Sequence, residues 1–107
     1  MADYALVDSD INAWSKKHNL SLFTSWAGRE TRCAYVSSVA GECFQIWIDP
    51  PIDGKVGIHA ACVEGHKDLE TQHNWLVAIG DLNTGLEVAF QTVVEWMAPS
   101  IRYFPQR

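Results

Sequence analysis

Basic residues are scarce in this sequence. Lysine and arginine number 8 against 13 aspartate and glutamate residues, which gives a formal net charge of −5 at pH 7. The densest basic stretch is the pair Lys16 and Lys17. Proteins that bind nucleic acid neutralise backbone phosphates with clustered lysine and arginine. The charge pattern therefore argues against a nucleic-acid partner.

Long apolar runs are also missing. Stretches such as Trp75 to Ile79 fall far short of the roughly 18 residues that a membrane-spanning helix needs. The N-terminal residues carry no basic segment followed by an apolar one, as a secretory signal would. We therefore expect a cytoplasmic protein with no membrane partner.

Cysteine and histidine do not form the spacings that mark metal sites. The three cysteines, Cys33, Cys43 and Cys62, include no CxxC pair, and the four histidines make no HExxH motif. An odd cysteine number in a chain without a secretory signal argues against structural disulfides. We expect free thiols, no metal and no cofactor.

Proline and glycine are too few for a fibrous or low-complexity chain, at 4 and 7 residues of 107. With 48% hydrophobic residues and no linker in between, residues 1–107 are expected to form a single compact domain.

Two segments have the period of an amphipathic helix. The first is expected from Asp10 to His18, where Ile11, Trp14 and His18 share one face and acidic residues at the start favour the helix dipole. The second is the strongest periodic segment of the chain. It is expected to begin after Asp81 and to end before Pro99, because proline cannot continue a helix.

Five segments between the helices alternate with a period of two. They are Leu20–Trp26, Arg32–Val39, Glu42–Ile48, Lys55–Val63 and Glu70–Ala78. For the last of these, an early helix is the alternative. The order α-β-β-β-β-β-α predicts an α+β fold: a two-layer sandwich in which a five-stranded antiparallel meander carries both helices on one face.

Pairing outward from the expected turns assigns each side chain to a face of the sheet. The expected core face holds Leu20, Leu22, Thr24, Trp26, Cys33, Tyr35, Phe44, Ile46 and Ile48. The face without helices then holds Phe23, Arg32, Val36, Cys43 and Trp47. His59 lies beside Trp47 on that face if Val56, Ile58, Ala60 and Cys62 point to the core, which requires one bulge.

The uncovered face is the expected functional surface, because large apolar side chains are unusual on a solvated sheet face. We expect a small acidic, non-enzymatic interaction module that binds itself as a homodimer, or another protein, through this face. The candidate binding residues are Phe23, Arg32, Val36, Trp47 and His59.

Two alternatives stay open. A small-molecule-binding protein or minor enzyme would use a pocket around His59 with Cys43 as a reactive thiol, since a thiolate beside a histidine is an activated nucleophile. An acidic adaptor or inhibitor would instead dock to a basic protein through Glu64, Asp68 and Glu70, which would steer the encounter.

Overall fold

Five antiparallel strands and two helices make up residues 4–65 and 70–97, the part of the chain that the computed structural model describes. Each strand pairs with the next along the chain. The elements are α1 (Asp8–Lys17), β1 (Leu22–Trp26), β2 (Arg29–Ser37), β3 (Cys43–Ile48), β4 (Lys55–Glu64), β5 (Gln72–Ala78), a turn of 3₁₀ helix (Ile79–Asp81) and α2 (Leu82–Trp96). The expected α+β meander with a helix at either end is confirmed, and Glu70–Ala78 contains a strand rather than a helix.

The core lies between the sheet and the helices. Its largest fully buried side chains come from both layers: Val7 and Ile11 from the α1 region, Leu82, Leu86 and Val93 from α2, and Phe44, Ile46, Ile48, Val56 and Ile58 from the sheet. The sheet residues of this set alternate along β3 and β4, as expected for strands with one covered face. Both helices therefore cover the same face, and the opposite face, called the open face below, carries neither.

Gly85 sets how closely α2 approaches the sheet. A Cβ at this position would lie 3.0 Å from Ile58 Cδ1 and 3.1 Å from Val77 Cγ1. The glycine lowers helix propensity by about 1 kcal/mol relative to alanine. It also lets the helix backbone contact the side chains of β4 and β5 directly.

The helix ends differ in detail from those expected. Helix α1 begins at Asp8, two residues early, and Val7 at its N-cap makes no side-chain cap hydrogen bond. Asp81 is the N-cap of α2 as expected, also without a side-chain cap bond. Asn19, just after α1, adopts the left-handed conformation, at φ 57°.

Strand β2 presents the opposite face from the one expected, because of a bulge in β1 and the length of the β2–β3 loop. The β1–β2 turn is Ala27 and Gly28 alone, both at positive φ, with Trp26 paired to Arg29 and a bulge between Phe23 and Ser25. The β2–β3 loop has an odd length, since Ser37 pairs with Cys43. Each irregularity shifts the pairing by one residue, and a one-residue shift exchanges the two faces of a strand.

Arg32 and Val36 therefore lie on the helix side, and their expected place on the open face is wrong. Val36 is buried in the core. Cys33 and Tyr35 point to the open face instead, as their pairing with Trp47 and Gln45 shows. The expected burial of Trp26 is wrong too, because the β1 bulge turns it outward and leaves it 73% exposed.

Arg32 connects the sheet to α1 through a buried ion pair. Its Nε and Nη2 donate to the two carboxylate oxygens of Asp8 at 2.7 and 3.1 Å, and Nη2 also reaches Glu30 at 3.1 Å. The guanidinium lies over the ring of Tyr4, 4.3 Å from its centroid. With its side chain only 8% exposed, Arg32 depends on these partners because a buried charge without them is costly.

We expect Asp8→Ala to lower the free energy of unfolding by about 1 to 3 kcal/mol, since it leaves charged donors of Arg32 unsatisfied. Urea denaturation measures the change. Asp10→Ala is the matched control, because Asp10 lies in the same helix and, among residues 4–65 and 70–97, its carboxylate makes a single side-chain hydrogen bond, a 3.4 Å contact with Asn83. Equal losses in the two variants would contradict the role assigned to the Arg32 ion pair.

Candidate functional site

The open face is rich in exposed apolar side chains. Phe23, Trp26 and Leu76 are 47%, 73% and 69% exposed, and Tyr35 is also exposed. Phe23 meets the Tyr35 ring edge-on, with centroids 5.6 Å apart. Three of these four residues, all aromatic, lie on β1 and β2 on the same face of the sheet, and together they are called the aromatic surface. Apolar surface of this kind marks an interaction site more often than a solvated sheet.

A shallow groove of about 430 Å³ crosses the β1 to β3 part of this face. Aromatic rings and polar groups share its walls: Trp26, Arg29, Glu30, Thr31, Cys33, Tyr35, Gln45 and Trp47. Within the described ranges, the side chains of Arg29 and Gln45 have neither an ion pair nor a hydrogen bond to another side chain. The groove therefore combines apolar walls with a cation and an amide that are available to a partner.

A cluster around His59 occupies the centre of the open face. His59 pairs with Trp47 across β3 and β4 and with Asn74 across β4 and β5. The imidazole stacks on the Trp47 indole, with centroids 5.0 Å apart and planes at 20°. Its Nε2 lies 2.7 Å from Asp49 Oδ2, and its Nδ1 lies 2.6 Å from Asn74 Oδ1. Asp49 comes from the residue after β3, just before the two prolines.

The partners of His59 favour its protonated form. Both ring nitrogens face oxygen atoms, and an imidazole donates from both nitrogens only when it is protonated. The amide of Asn74 is held in this orientation by Gln72 Nε2, which donates to Asn74 Oδ1 at 3.3 Å. Burial by itself lowers the pKa of His59, but the hydrogen bonds to Asn74 and Asp49, with the charge of Asp49, outweigh burial and raise that pKa above its ordinary value of 6.5.

Gly57 makes room for the contact between Asp49 and His59. A Cβ on Gly57 would lie 2.5 Å from Asp49 Oδ2 and 3.2 Å from His59 Nε2. Any other residue type would place its Cβ where it clashes with the Asp49 carboxylate. The glycine is thus a local requirement of the cluster.

The candidate residues divide between the two faces. Phe23, Trp47 and His59 lie on the open face, whereas Arg32 and Val36 do not. Cys43 lies on the open face but four residues from Trp47 along β3, about 13 Å at the rise of an extended strand. Since His59 lies opposite Trp47 and both its nitrogens are engaged, the expected neighbouring Cys43 and His59 pair is not formed.

Sequence reasoning missed several residues of this surface. The sequence does not predict the contacts of Asp49, Asn74 and Gly57 with His59, because their positions depend on a loop path and on the β4–β5 register. Trp26 and Tyr35 were assigned to the core. A signal for Gly57 was present, since a glycine inside a strand pattern often marks a close approach.

Two kinds of site are not found in the described part of the chain. Residues 4–65 and 70–97 contain no group of three or more His, Cys, Asp or Glu side chains placed to hold a metal ion. No helix within those ranges combines the length and apolar character needed to cross a membrane. Of the acidic group Glu64, Asp68 and Glu70, Asp68 lies outside the described residues.

We expect the cluster to make stability depend on pH. Because the pKa of His59 is raised in the folded state, its contribution to stability is fully present below pH 6.5 and is lost as pH rises through the folded-state pKa. The free energy of unfolding of the wild type should therefore fall relative to that of His59→Gln as pH rises from below 6.5 through the folded-state pKa.

Urea denaturation at several pH values provides the measurement. His73→Gln is the control, since His73 lies on β5 with its side chain on the other face from His59. A difference in the free energy of unfolding between the wild type and His59→Gln that stays constant over the whole pH range would contradict this prediction. It would show that the His59 imidazolium does not make these hydrogen bonds in solution.

Comparison of the whole chain with protein-family models, curated proteins and solved structures finds no match. The open face, with its groove and the His59 cluster, is therefore the basis on which a function can be assigned.

Proposed function

We propose that this chain is a non-enzymatic protein-interaction module that associates with a second copy of itself through the open face. The observation that carries the proposal is the exposure of Phe23, Trp26, Tyr35 and Leu76 on the sheet face opposite both helices. Aromatic side chains bury about 150 to 250 Å² each and dominate the energetics of protein interfaces.

The distribution of charge supports a second copy as the partner. The chain has a net charge of −5, but the strand register places few charges on the open face. Apart from His59, the charged strand residues that the register places on that face within residues 4–65 and 70–97 are Arg29, Lys55 and, opposite Cys43 at the end of β4, Glu64. Asp49, just after β3, adds a carboxylate that faces His59. Most acidic side chains of these residues lie on helices and loops instead, so two copies can approach face to face with little of their acidic surface in contact.

The shape of the face also suits self-association. Two sheets that pack face to face align at about −30° and interdigitate their side chains across about 10 Å. Trp26 and the Phe23 and Tyr35 pair project from one side of the sheet, next to the groove. In a two-fold dimer each copy would present both its projecting rings and its groove to the other, as an isologous interface requires.

We expect the wild type to sediment as a dimer at tens of micromolar, a concentration range typical of weak interfaces. Trp26→Ser should weaken dimerisation at least about tenfold, because a tryptophan that becomes buried in an interface is a typical hot spot. Analytical ultracentrifugation over a concentration series gives both values.

Val88→Ser is the matched control, since Val88 is 45% exposed on α2, which covers the opposite face of the sheet. Circular dichroism checks that both variants fold. A wild type that stays monomeric throughout the series would refute the proposal, as would an equal effect of the two substitutions.

A further inference from the structure

The His59 cluster places a titrating charge in the middle of the proposed interface. We infer that the proton on His59 controls association through the open face: the protonated form permits it and the neutral form opposes it. This inference rests on the proposed function and adds its regulation.

The net charge of the cluster is the first step of the argument. When His59 is protonated, the imidazolium and the Asp49 carboxylate, 2.7 Å apart, cancel each other's charge. When His59 loses its proton, Asp49 is left with an uncompensated negative charge. A two-fold axis through the open face would bring two such carboxylates towards one another in an environment with little water, where like charges repel strongly.

The geometry of the hydrogen bonds is the second step. A neutral imidazole has one N–H, so one of the two oxygens loses its donor. The carboxylate is the stronger acceptor and retains the bond. Asn74 then has to turn its amide to present an N–H to His59, and this turn breaks the bond that Asn74 Oδ1 accepts from Gln72. Loss of the His59 proton therefore changes the hydrogen bonding between the Asn74 and Gln72 side chains on β5.

Trp47 carries the effect to the groove, which is the third step. Its indole stacks on His59 and also lines the groove. A cation over an indole face is held more strongly than a neutral ring. The protonated form therefore fixes the Trp47 wall of the groove more firmly than the neutral form does.

The groups facing His59 come from each neighbouring element: Trp47 from β3, Asp49 from the segment after β3, Gly57 from β4 and Asn74 from β5. Asp49 is the charged group among them, and its charge acts on His59. The sign of the pH effect therefore depends on this one carboxylate.

Asp49→Asn gives the sharpest test because it should reverse that sign. In the wild type the cluster is neutral below the pKa of His59 and negative above it, so dimerisation should weaken on the order of tenfold as pH rises through that pKa. In Asp49→Asn the cluster is positive below the pKa and neutral above it, so dimerisation should weaken as pH falls. Asp49 is half-exposed, so this substitution should leave the fold intact.

Gly57→Ala tests the same cluster from the backbone. Its Cβ would displace the carboxylate and lower the pKa of His59, which should move the pH midpoint of dimerisation in the acid direction. Gly80→Ala is the matched control, because a Cβ there meets no atom within 4 Å and Gly80 does not have a positive φ.

The experiment combines sedimentation against pH with NMR titration of the His59 ring and of the Asn74 and Gln72 side-chain amides. One common midpoint for all signals and for dimerisation, with the sign reversed in Asp49→Asn, supports the inference. Dimerisation that does not depend on pH, or a His59 that titrates below its ordinary range, overturns the inference and leaves the proposed function standing. A wild type that is monomeric at every pH overturns both.

Discussion

The buried ion pair between Arg32 and Asp8 determines which side chains of the sheet are available for binding. Arg32 reaches the Asp8 carboxylate at the start of α1 with two of its nitrogens, so it has to point towards the helices. Successive side chains of a strand point to opposite faces, and Cys33 and Tyr35 consequently point away from the helices. The aromatic surface and the groove depend on this orientation of β2.

The β1–β2 hairpin and the Arg32 ion pair favour the same orientation of β2. The two-residue turn at Ala27 and Gly28 has positive φ at both positions, the geometry that matches the twist of a hairpin, and the bulge in β1 brings Trp26 to the open face. Bulges re-aim side chains and protect a sheet edge from further pairing. The same irregularity that limits pairing at the β1 edge thus adds a large ring to the face.

The sequence was sufficient to predict the number and order of elements, the strong period of α2 and the orientation of β4. In β4 the set Val56, Ile58, Ala60 and Cys62 is clearly more apolar than the alternate set, so burial decides the face. Both alternate sets of β2 are mixed: one contains Arg32 and Val36, the other Cys33 and Tyr35. Pattern alone therefore gave no basis for choosing, and the bulge in β1 and the odd length of the β2–β3 loop reversed the strand.

The His59 cluster, likewise, could be predicted from the sequence only in part. The neighbouring positions of Trp47 and His59 follow from the orientation of β4 and were predicted. The contacts of His59 with Asp49 and Asn74 depend on the course of the chain after β3 and on the register of β5, which no short-range pattern encodes. Because these two residues set the proton state of His59, the chemistry of the site could not be derived from the sequence.

The net negative charge of the chain and its open face affect contact between two copies in opposite ways. A net charge of −5 produces repulsion between copies in most orientations, which keeps an acidic protein in solution. That repulsion is weakest where the acidic side chains are fewest. Within residues 4–65 and 70–97, the strand register places Glu64 at one end of the open face, and Glu30 lies at the wall of the groove. The Asp49 carboxylate differs from both, because it passes Gly57 and reaches the centre of the face. Its pairing with a protonated His59 cancels this central negative charge, and in the proposed dimer the repulsion at the centre of the interface would therefore depend on a single proton.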